Sequence, residues 1–216
     1  MSDATAIVIA KEPRAGRVKT RLCPPCSFEQ AAELARAALA DTLVAVAGLK
    51  VGRRVLCLDG TPGPWLAPGF EVTSQRGAGL GERLEHAFGL VDEGPALLVG
   101  MDTPQIGGPL LEASLSMLDD EGTDAVLGPA EDGGYWAVGF RRPTAGAFDR
   151  VPMSSPRTFA AQLARLHGLG LRTRLLPTLR DVDVIDDAVA VAAQAPGTRF
   201  AATLGALEAG WRRAAA

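Results

Sequence analysis

The segment Lys11-Glu12-Pro13-Arg14-Ala15-Gly16-Arg17-Val18-Lys19-Thr20-Arg21 gathers five cations against one acid. That composition suits a polyphosphate. Lysine supplies point charge, arginine supplies bidentate forks, and the backbone N–H at Gly16 can approach a ligand closely. No glycine precedes Lys19-Thr20 as a Walker loop requires, and the GxGxxG pattern is absent. A solvated basic loop would carry the same charges. Against that bland reading, Pro13 and Gly16 constrain the turn, which directly follows an apolar run. The chain has lysine only at Lys11, Lys19 and Lys50, and two of these fall in this stretch.

Acids recur further on. Asp102 follows Ala96–Gly100 and precedes Pro104, where a carboxylate can meet Mg²⁺ together with substrate phosphates; Asp-Thr-Pro is also an ordinary turn or cap. In Gly128–Trp136, the acids Glu131 and Asp132 precede Gly133 and Gly134. These glycines allow close backbone approach to a ligand, and Tyr135 leads into a strand; a plain hairpin turn reads the same way. In Asp181-Val182-Asp183 the alternation puts both carboxylates on one face of an extended segment, able to share a cation, while Asp186 and Asp187 read as caps of the next helix. Arg76 and Gly77–Arg83, with Gly81 inside it, join flexible glycines to a helix N-terminus, another anion-friendly feature.

Cys23-Pro24-Pro25-Cys26 admits a redox dithiol, half a zinc site or a structural turn. The only other candidate ligands of cysteine or histidine type are Cys57, His86 and His167, at spacings that do not complete a zinc site. An odd count of three cysteines does not suggest a disulfide framework. His86 and His167 read as structural, with no GxSxG nucleophile nearby.

These residues need elements to place them. Ala4–Ala10 is a continuous apolar run rich in β-branched residues, as in a central parallel strand. Lys11–Pro25 is a loop. Ser27 with Gln30 forms a capping box for a helix reaching Ala47 and closed by Gly48. Strands are expected at Arg54–Leu58, Phe70–Ser74, Ala96–Gly100, Ala125–Leu127, Tyr135–Phe140 and Arg172–Leu176. Helices are expected near Leu80–Val91, Pro109–Leu118, Arg157–His167, Ile185–Ala193 and Thr198–Arg212. Alternating strands and helices imply a single α/β domain over 1–216: a Rossmann-like, three-layer αβα arrangement with a mixed, mostly parallel sheet. In such sheets ligands bind outside the carboxyl ends of the strands, and the basic loop and Asp102 follow strands.

The whole-chain composition narrows the partners. The 216 residues are 47% hydrophobic and carry a net charge of -3. That balance argues against a nucleic-acid binder, which needs clustered cations on a large face. No apolar run approaches the roughly 20 residues that span a bilayer, and Met1–Thr5 lacks the basic start of a secretory signal. The expected setting is cytoplasmic, and the local crowding of cations points to a small-molecule partner, a nucleotide with its metal. The sequence carries no signature of an oligomeric state.

Ala10–Leu22 (AKEPRAGRVKTRL), Gly100–Pro104 (GMDTP), Gly128–Tyr135 (GPAEDGGY) and Asp181–Asp187 (DVDVIDD) occur in that order. Together they resemble the bacterial glycosyltransferase-A-like proteins related to 2-phospho-lactate guanylyltransferase, in the nucleotide-diphospho-sugar transferase superfamily. The resemblance implies a GT-A-type fold, with a nucleotide-binding half at about 1–105 and an acceptor half at about 106–216. It implies that Lys19 and its neighbours face phosphates, that Asp102 binds a divalent metal, Mg²⁺ or Mn²⁺, and that Asp183 binds the same or a second ion. Three departures stand out. Relatives commonly read Gly-Asp-Leu-Gly where this chain has Ala78-Gly79-Leu80-Gly81, Trp-Ser at Met153-Ser154, and Thr-Pro at Val184-Ile185.

Two transferase reactions fit. In nucleotidyl transfer, an acceptor displaces pyrophosphate from an NTP; in glycosyl transfer, an acceptor displaces the nucleoside diphosphate of a nucleotide sugar. Pyrophosphate departs with about three to four negative charges, and the five-cation loop favours nucleotidyl transfer to a small phosphorylated or acidic acceptor. The catalytic set is then Lys19, Arg17 and Asp102. Lys11, Arg14, Gly16, Arg21, Arg76 and Gly81 surround the nucleotide; Asp132, Gly133, Gly134 and Tyr135 meet the acceptor; Asp102 and Asp183 hold metal. A non-catalytic nucleotide-binding protein is a third reading, motivated by the missing acid at Gly79.

Overall fold

The computed structural model describes residues 2–214; Met1, at the head of the segment inspected for a signal, lies outside them. The apolar run becomes β1 (Ser2–Lys11), followed by α1 (Phe28–Ala47), β2 (Val51–Asp59), β3 (Glu71–Ser74) and α2 (Leu80–Phe88). The chain continues through β4 (Ala96–Val99), α3 (Gly108–Asp119), β5 (Ala125–Pro129), β6 (Tyr135–Phe140), α4 (Thr158–Gly168) and β7 (Thr173–Leu175). It closes with α5 (Ile185–Gln194) and α6 (Arg199–Ala214). A 3-10 turn at Thr20–Leu22 lies in the segment expected to be loop throughout.

The strands form one seven-stranded sheet in the order β3-β2-β1-β4-β6-β5-β7. β1 is central because it is apolar on both sides. Ala6, Val8 and Ala10 pack with α1 and α3 on one face, while Ile7 packs with α2 and α4 on the other, as the period-2 alternation of a strand requires. The result is the three-layer, Rossmann-like αβα arrangement expected from the sequence. β6 runs antiparallel to β4 and β5, since the short link from Pro129 to Tyr135 cannot make the long crossover that parallel pairing needs.

Helix α1 begins at the Ser27 capping box, where Gln30 N donates to Ser27 Oγ at 3.2 Å and Ser27 N donates to Gln30 Oε1 at 2.9 Å. It buries a second stripe, Ala31, Leu34 and Ala38, against Ala188, Val191, Phe200 and Leu204 of α5 and α6. Asp41 of α1 caps α6, accepting from Arg199 N at 3.1 Å and Phe200 N at 2.8 Å. These contacts bring the 181–183 segment, just before α5, back towards β1.

At the β7 edge of the sheet, Asp124 and Arg172 clamp the starts of the parallel neighbours β5 and β7. Arg172 donates from Nε at 2.7 Å, from Nη2 at 2.8 Å and from its backbone N at 2.9 Å. The guanidinium and then the backbone N–H hold the Asp124 carboxyl well below the usual carboxylate range. A depressed folded-state value means stability present above the unfolded value near pH 4 and lost as pH falls towards the folded one. Asp124→Asn is therefore expected to lower Tm at pH 7 by a few degrees. The gap to the parent protein should narrow as the pH drops below 4; a constant gap in a pH series of melts would contradict this role.

Candidate functional site

The sheet order has a switch point: the chain moves outward from β1 to β3, then returns to place β4 on the other side of β1. A cavity of about 740 Å³ opens there, at the carboxyl ends of β1 and β4. That volume lies within the range of small-molecule sites. β6 enters from the opposite direction, with Ala137 paired to Val99 and Gly100 N bonded to Trp136 O at 3.2 Å. The start of β6 therefore faces the same opening. Trp136 is fixed as a wall by its Nε1 donating to Pro177 O at 3.0 Å.

Lys19 joins three stretches of chain. Its Nζ lies 2.6 Å from Asp102 Oδ1 and 3.6 Å from Asp183 Oδ1, and it donates to the Val182 carbonyl. The backbone reinforces the junction, with Val182 N donating to Asp102 O at 2.9 Å. Arg21 adds a contact to Asp183 Oδ2 at 3.1 Å. The Lys19 side chain is only 10% exposed. Burial works to lower its pKa, but Asp102, Asp183 and Asp181 outweigh that and raise it, so the ammonium stays charged. Its backbone sits in the left-handed region at φ 49, a conformation that non-glycine residues adopt at a cost and that clusters at functional sites.

Beside this junction, carboxylate oxygens of Asp132, Asp181 and Asp183 lie within 4.8 Å of one another. Val182 is buried between the two acids that flank it, so the alternation of the segment turns both towards the cavity. Burial first, and then repulsion from Asp132 and Asp183, pushes the Asp181 carboxyl up to about 6. Three hard oxygen donors held together under mutual repulsion fit a divalent ion such as Mg²⁺ or Mn²⁺.

The grouping differs from that expected of the sequence. Asp102, paired there with Asp183 as a metal ligand, faces the Lys19 ammonium. Asp132, expected against the acceptor, joins the acids. Spacing along the chain does not reveal which carboxylate a folded lysine will reach.

The basic loop also divides. Lys11, Arg17, Lys19 and Arg21 line the cavity. Arg14 instead borders a small hollow of about 60 Å³ with Lys11, Glu12, Arg17 and Asp59. Gly16 takes φ +73, which a turn there requires, and it lies outside the lining, as do Arg76, Gly81 and Gly133. Gly81 packs towards Phe148 and Met153, and a Cβ on Gly133 would come 2.2 Å from Pro156 O. The close approach at Gly133 thus serves the chain's own backbone; Gly134 and Tyr135 reach the cavity. A Cβ at Gly79 would meet nothing within 4 Å, so close packing does not require glycine there.

The sequence reading missed Gln75, Ser155 and Thr158, all of which line the cavity. Gln75 Nε2 donates to Ala10 O at 2.7 Å and Cys57 O at 3.1 Å, tying the end of β3 to β1 and β2. Its position just past a strand's carboxyl end was the available signal. Tyr135 donates its hydroxyl to Gln162 Oε1 at 3.3 Å, and burial pushes the phenol up, so it stays neutral.

Neither histidine lines the cavity. All three cysteines are free. Burial pushes the Cys26 and Cys57 thiols up to about 11, the reverse of an activated thiolate. Cys23 and Cys26 pack with α1, α5 and α6, as a structural turn would.

Among solved structures, the chain is similar to a candidate nucleotide-diphospho-sugar transferase from Desulfovibrio desulfuricans G20. The identity is 27% and the TM-score 0.87, over 99% of this chain and 98% of that one. It shares its fold with CMP:2-keto-3-deoxy-manno-octonic acid synthetase complexed with CTP, at 14% identity and TM-score 0.57, over 89% and 98% of the two chains. A Mycobacterium tuberculosis H37Rv protein in complex with manganese is similar at 19% identity and TM-score 0.53, over 88% and 97%. No curated protein matches the chain. Among the described residues, no helix is long and apolar enough to cross a membrane. Residues 30–155 match the family described as "Uncharacterized protein conserved in bacteria (DUF2064)", and on that match the chain, which has the fold of the nucleotide-diphospho-sugar transferases, belongs to this family.

Proposed function

We propose that the protein is a divalent-metal-dependent nucleotidyltransferase that moves a nucleoside monophosphate from an NTP to a phosphate-bearing acceptor. The observation that carries this reading is that one switch-point cavity is lined both by unpaired cations and by a cluster of three acids. Lys11 and Arg17, neither in an ion pair among the described residues, line it together with Asp132, Asp181 and Asp183. The neighbour that binds CTP and the one that binds manganese support it.

In the reaction, an acceptor phosphate oxygen forms a bond to the α-phosphorus as the bond to the bridging oxygen breaks, and the electron pair leaves with pyrophosphate. A phosphate dianion needs no general base, which accords with a cavity lined by no histidine. Asp132, Asp181 and Asp183 would hold the ion, which supplies charge neutralisation when bound. Lys19 holds Asp102 and Asp183 in place and keeps a positive charge beside them. Lys11 and Arg17 face the departing phosphates, with Arg14 behind them.

Glycosyl transfer from a nucleotide sugar is the second reading, favoured by the Desulfovibrio neighbour. A thermal-shift series of NTPs and nucleotide sugars, with and without Mg²⁺ or Mn²⁺, separates the two. A ligand at 100 times its Kd stabilises by about 2.7 kcal/mol, several degrees in Tm. Metal-dependent stabilisation by a triphosphate above every nucleotide sugar is expected. The reverse order would transfer the assignment to the glycosyl reaction.

A further inference from the structure

We propose that Arg180 is a positioning residue that holds Asp132 and Asp181 together, through an ion pair with Glu131 made behind the acids and outside the cavity. The inference rests on the reading of the three acids as metal ligands and adds how the chain keeps them assembled.

Three carboxylates within 4.8 Å of one another repel. On the Asp183 side, Lys19 and Arg21 offset the charge. Among the described residues no ion pair reaches Asp132 or Asp181 themselves. The cation nearest to both in the chain is Arg180, and it pairs with Glu131. Each partner of that pair is the immediate chain neighbour of one acid.

The backbone brings the two segments side by side but does not carry them to the acids. Leu179 N donates to Pro129 O at 3.1 Å and Glu131 N to Leu179 O at 3.0 Å, and Ala130 and Leu179 form a parallel bridge. That ladder ends at Glu131, one residue short of Asp132. From there the tie is made by side chains, Arg180 Nε donating to Glu131 Oε2 at 2.7 Å. Asp132 and Asp181 line the cavity, whereas Arg180 and Glu131 do not.

Arg180 is itself fixed from the other side. Gln105 Nε2 donates to the Arg180 carbonyl at 2.5 Å, and Val182 N donates to Asp102 O at 2.9 Å. The peptide before Asp181 is therefore anchored to the loop after β4, and the ion pair extends that anchor to the loop after β5. Asp132 Oδ1 accepts from Gly134 N at 2.7 Å, so its side chain follows wherever this loop is held.

The Arg180 and Glu131 side chains are 36% and 45% exposed, and a pair so open to water contributes little to global stability. Its effect falls on the acids. Without the tie the Asp132 loop can relax away from Asp181, and the free energy of bringing the acids together again is subtracted from metal binding. Two consequences of Arg180→Gln then have opposite signs. Removing a positive charge beside the acids strengthens their attraction for Mn²⁺, whereas removing the tie weakens binding.

Calorimetric titration of the full chain with Mn²⁺ separates them. Arg180→Gln is expected to weaken binding about tenfold, the scale for an outer-shell partner of a metal ligand. The Tm of the metal-free variant should move by no more than about 4 °C. Arg180→Glu combined with Glu131→Arg rebuilds the pair at the same net charge and is expected to recover most of the affinity. Parental or tighter Mn²⁺ binding by Arg180→Gln overturns the inference. A swapped variant as weak as the single one also overturns it, and this variant supplies the reading if Arg180→Gln does not fold. If the parent protein binds no Mn²⁺, the cation site falls and the role of Arg180 falls with it.

Discussion

Lys19→Met is expected to reduce turnover by about 10³-fold, the scale for removing one preorganised cation or donor from a charge-stabilising site. Lys19 contributes more than its own charge, because it holds Asp102, Asp183 and the Val182 carbonyl in one cluster. Removing it leaves Asp102 and Asp183 without their central ammonium, next to Asp132 and Asp181. Stability should fall by about 2–3 kcal/mol. That is less than for a wholly buried pair, because the two carboxylates keep partial access to water. Urea titrations with and without Mn²⁺ check the electrostatic origin. Added metal should recover part of the loss by supplying another cation to the same acids. A variant that turns over at the parental rate would remove Lys19 from the reaction.

Asp181→Asn is expected to move stability and metal affinity in opposite directions. At neutral pH, Asp181 bears a charge that burial and its acidic neighbours disfavour. Neutralising it in the metal-free protein should stabilise the fold by roughly 1 kcal/mol, after allowing for solvent screening of a half-buried group. The same change removes an oxygen ligand that carries charge. Mn²⁺ affinity should fall by at least about 10–100-fold, the loss that even outer-shell partners of a metal cause. Calorimetric titration with Mn²⁺ and melts of the metal-free protein read the two effects separately. Unchanged affinity would show that the three acids do not form a cation site. A structural carboxylate would instead lose stability without any change in metal binding.

These two positions show how far the sequence was legible. The central strand, the Ser27 capping box and the placement of functional residues after strands follow from local composition and period, because burial on both faces and cap geometry act over a few residues. The 3-10 turn at Thr20–Leu22 was missed, since a single turn leaves no periodicity. The basic loop was recognised as a cluster, but its division was not. Lys19 turns inward to Asp102 and Asp183, whereas Arg14 turns to a separate hollow beside Asp59.

The sequence by itself determined the α/β class, the strand-end positions of the acids and cations, and the alternation that turns Asp181 and Asp183 the same way. These are consequences of short-range sterics and of which residues must leave water. Only the tertiary structure decided which charges meet. Asp102 and Lys19 are 83 residues apart in sequence and 2.6 Å apart in space. Their meeting depends on β4 returning beside β1 and on α5 and α6 folding back over α1. Pairing of that kind is set by the packing of elements distant in the chain, and electrostatic energy falls with distance in space, which residue numbering does not encode.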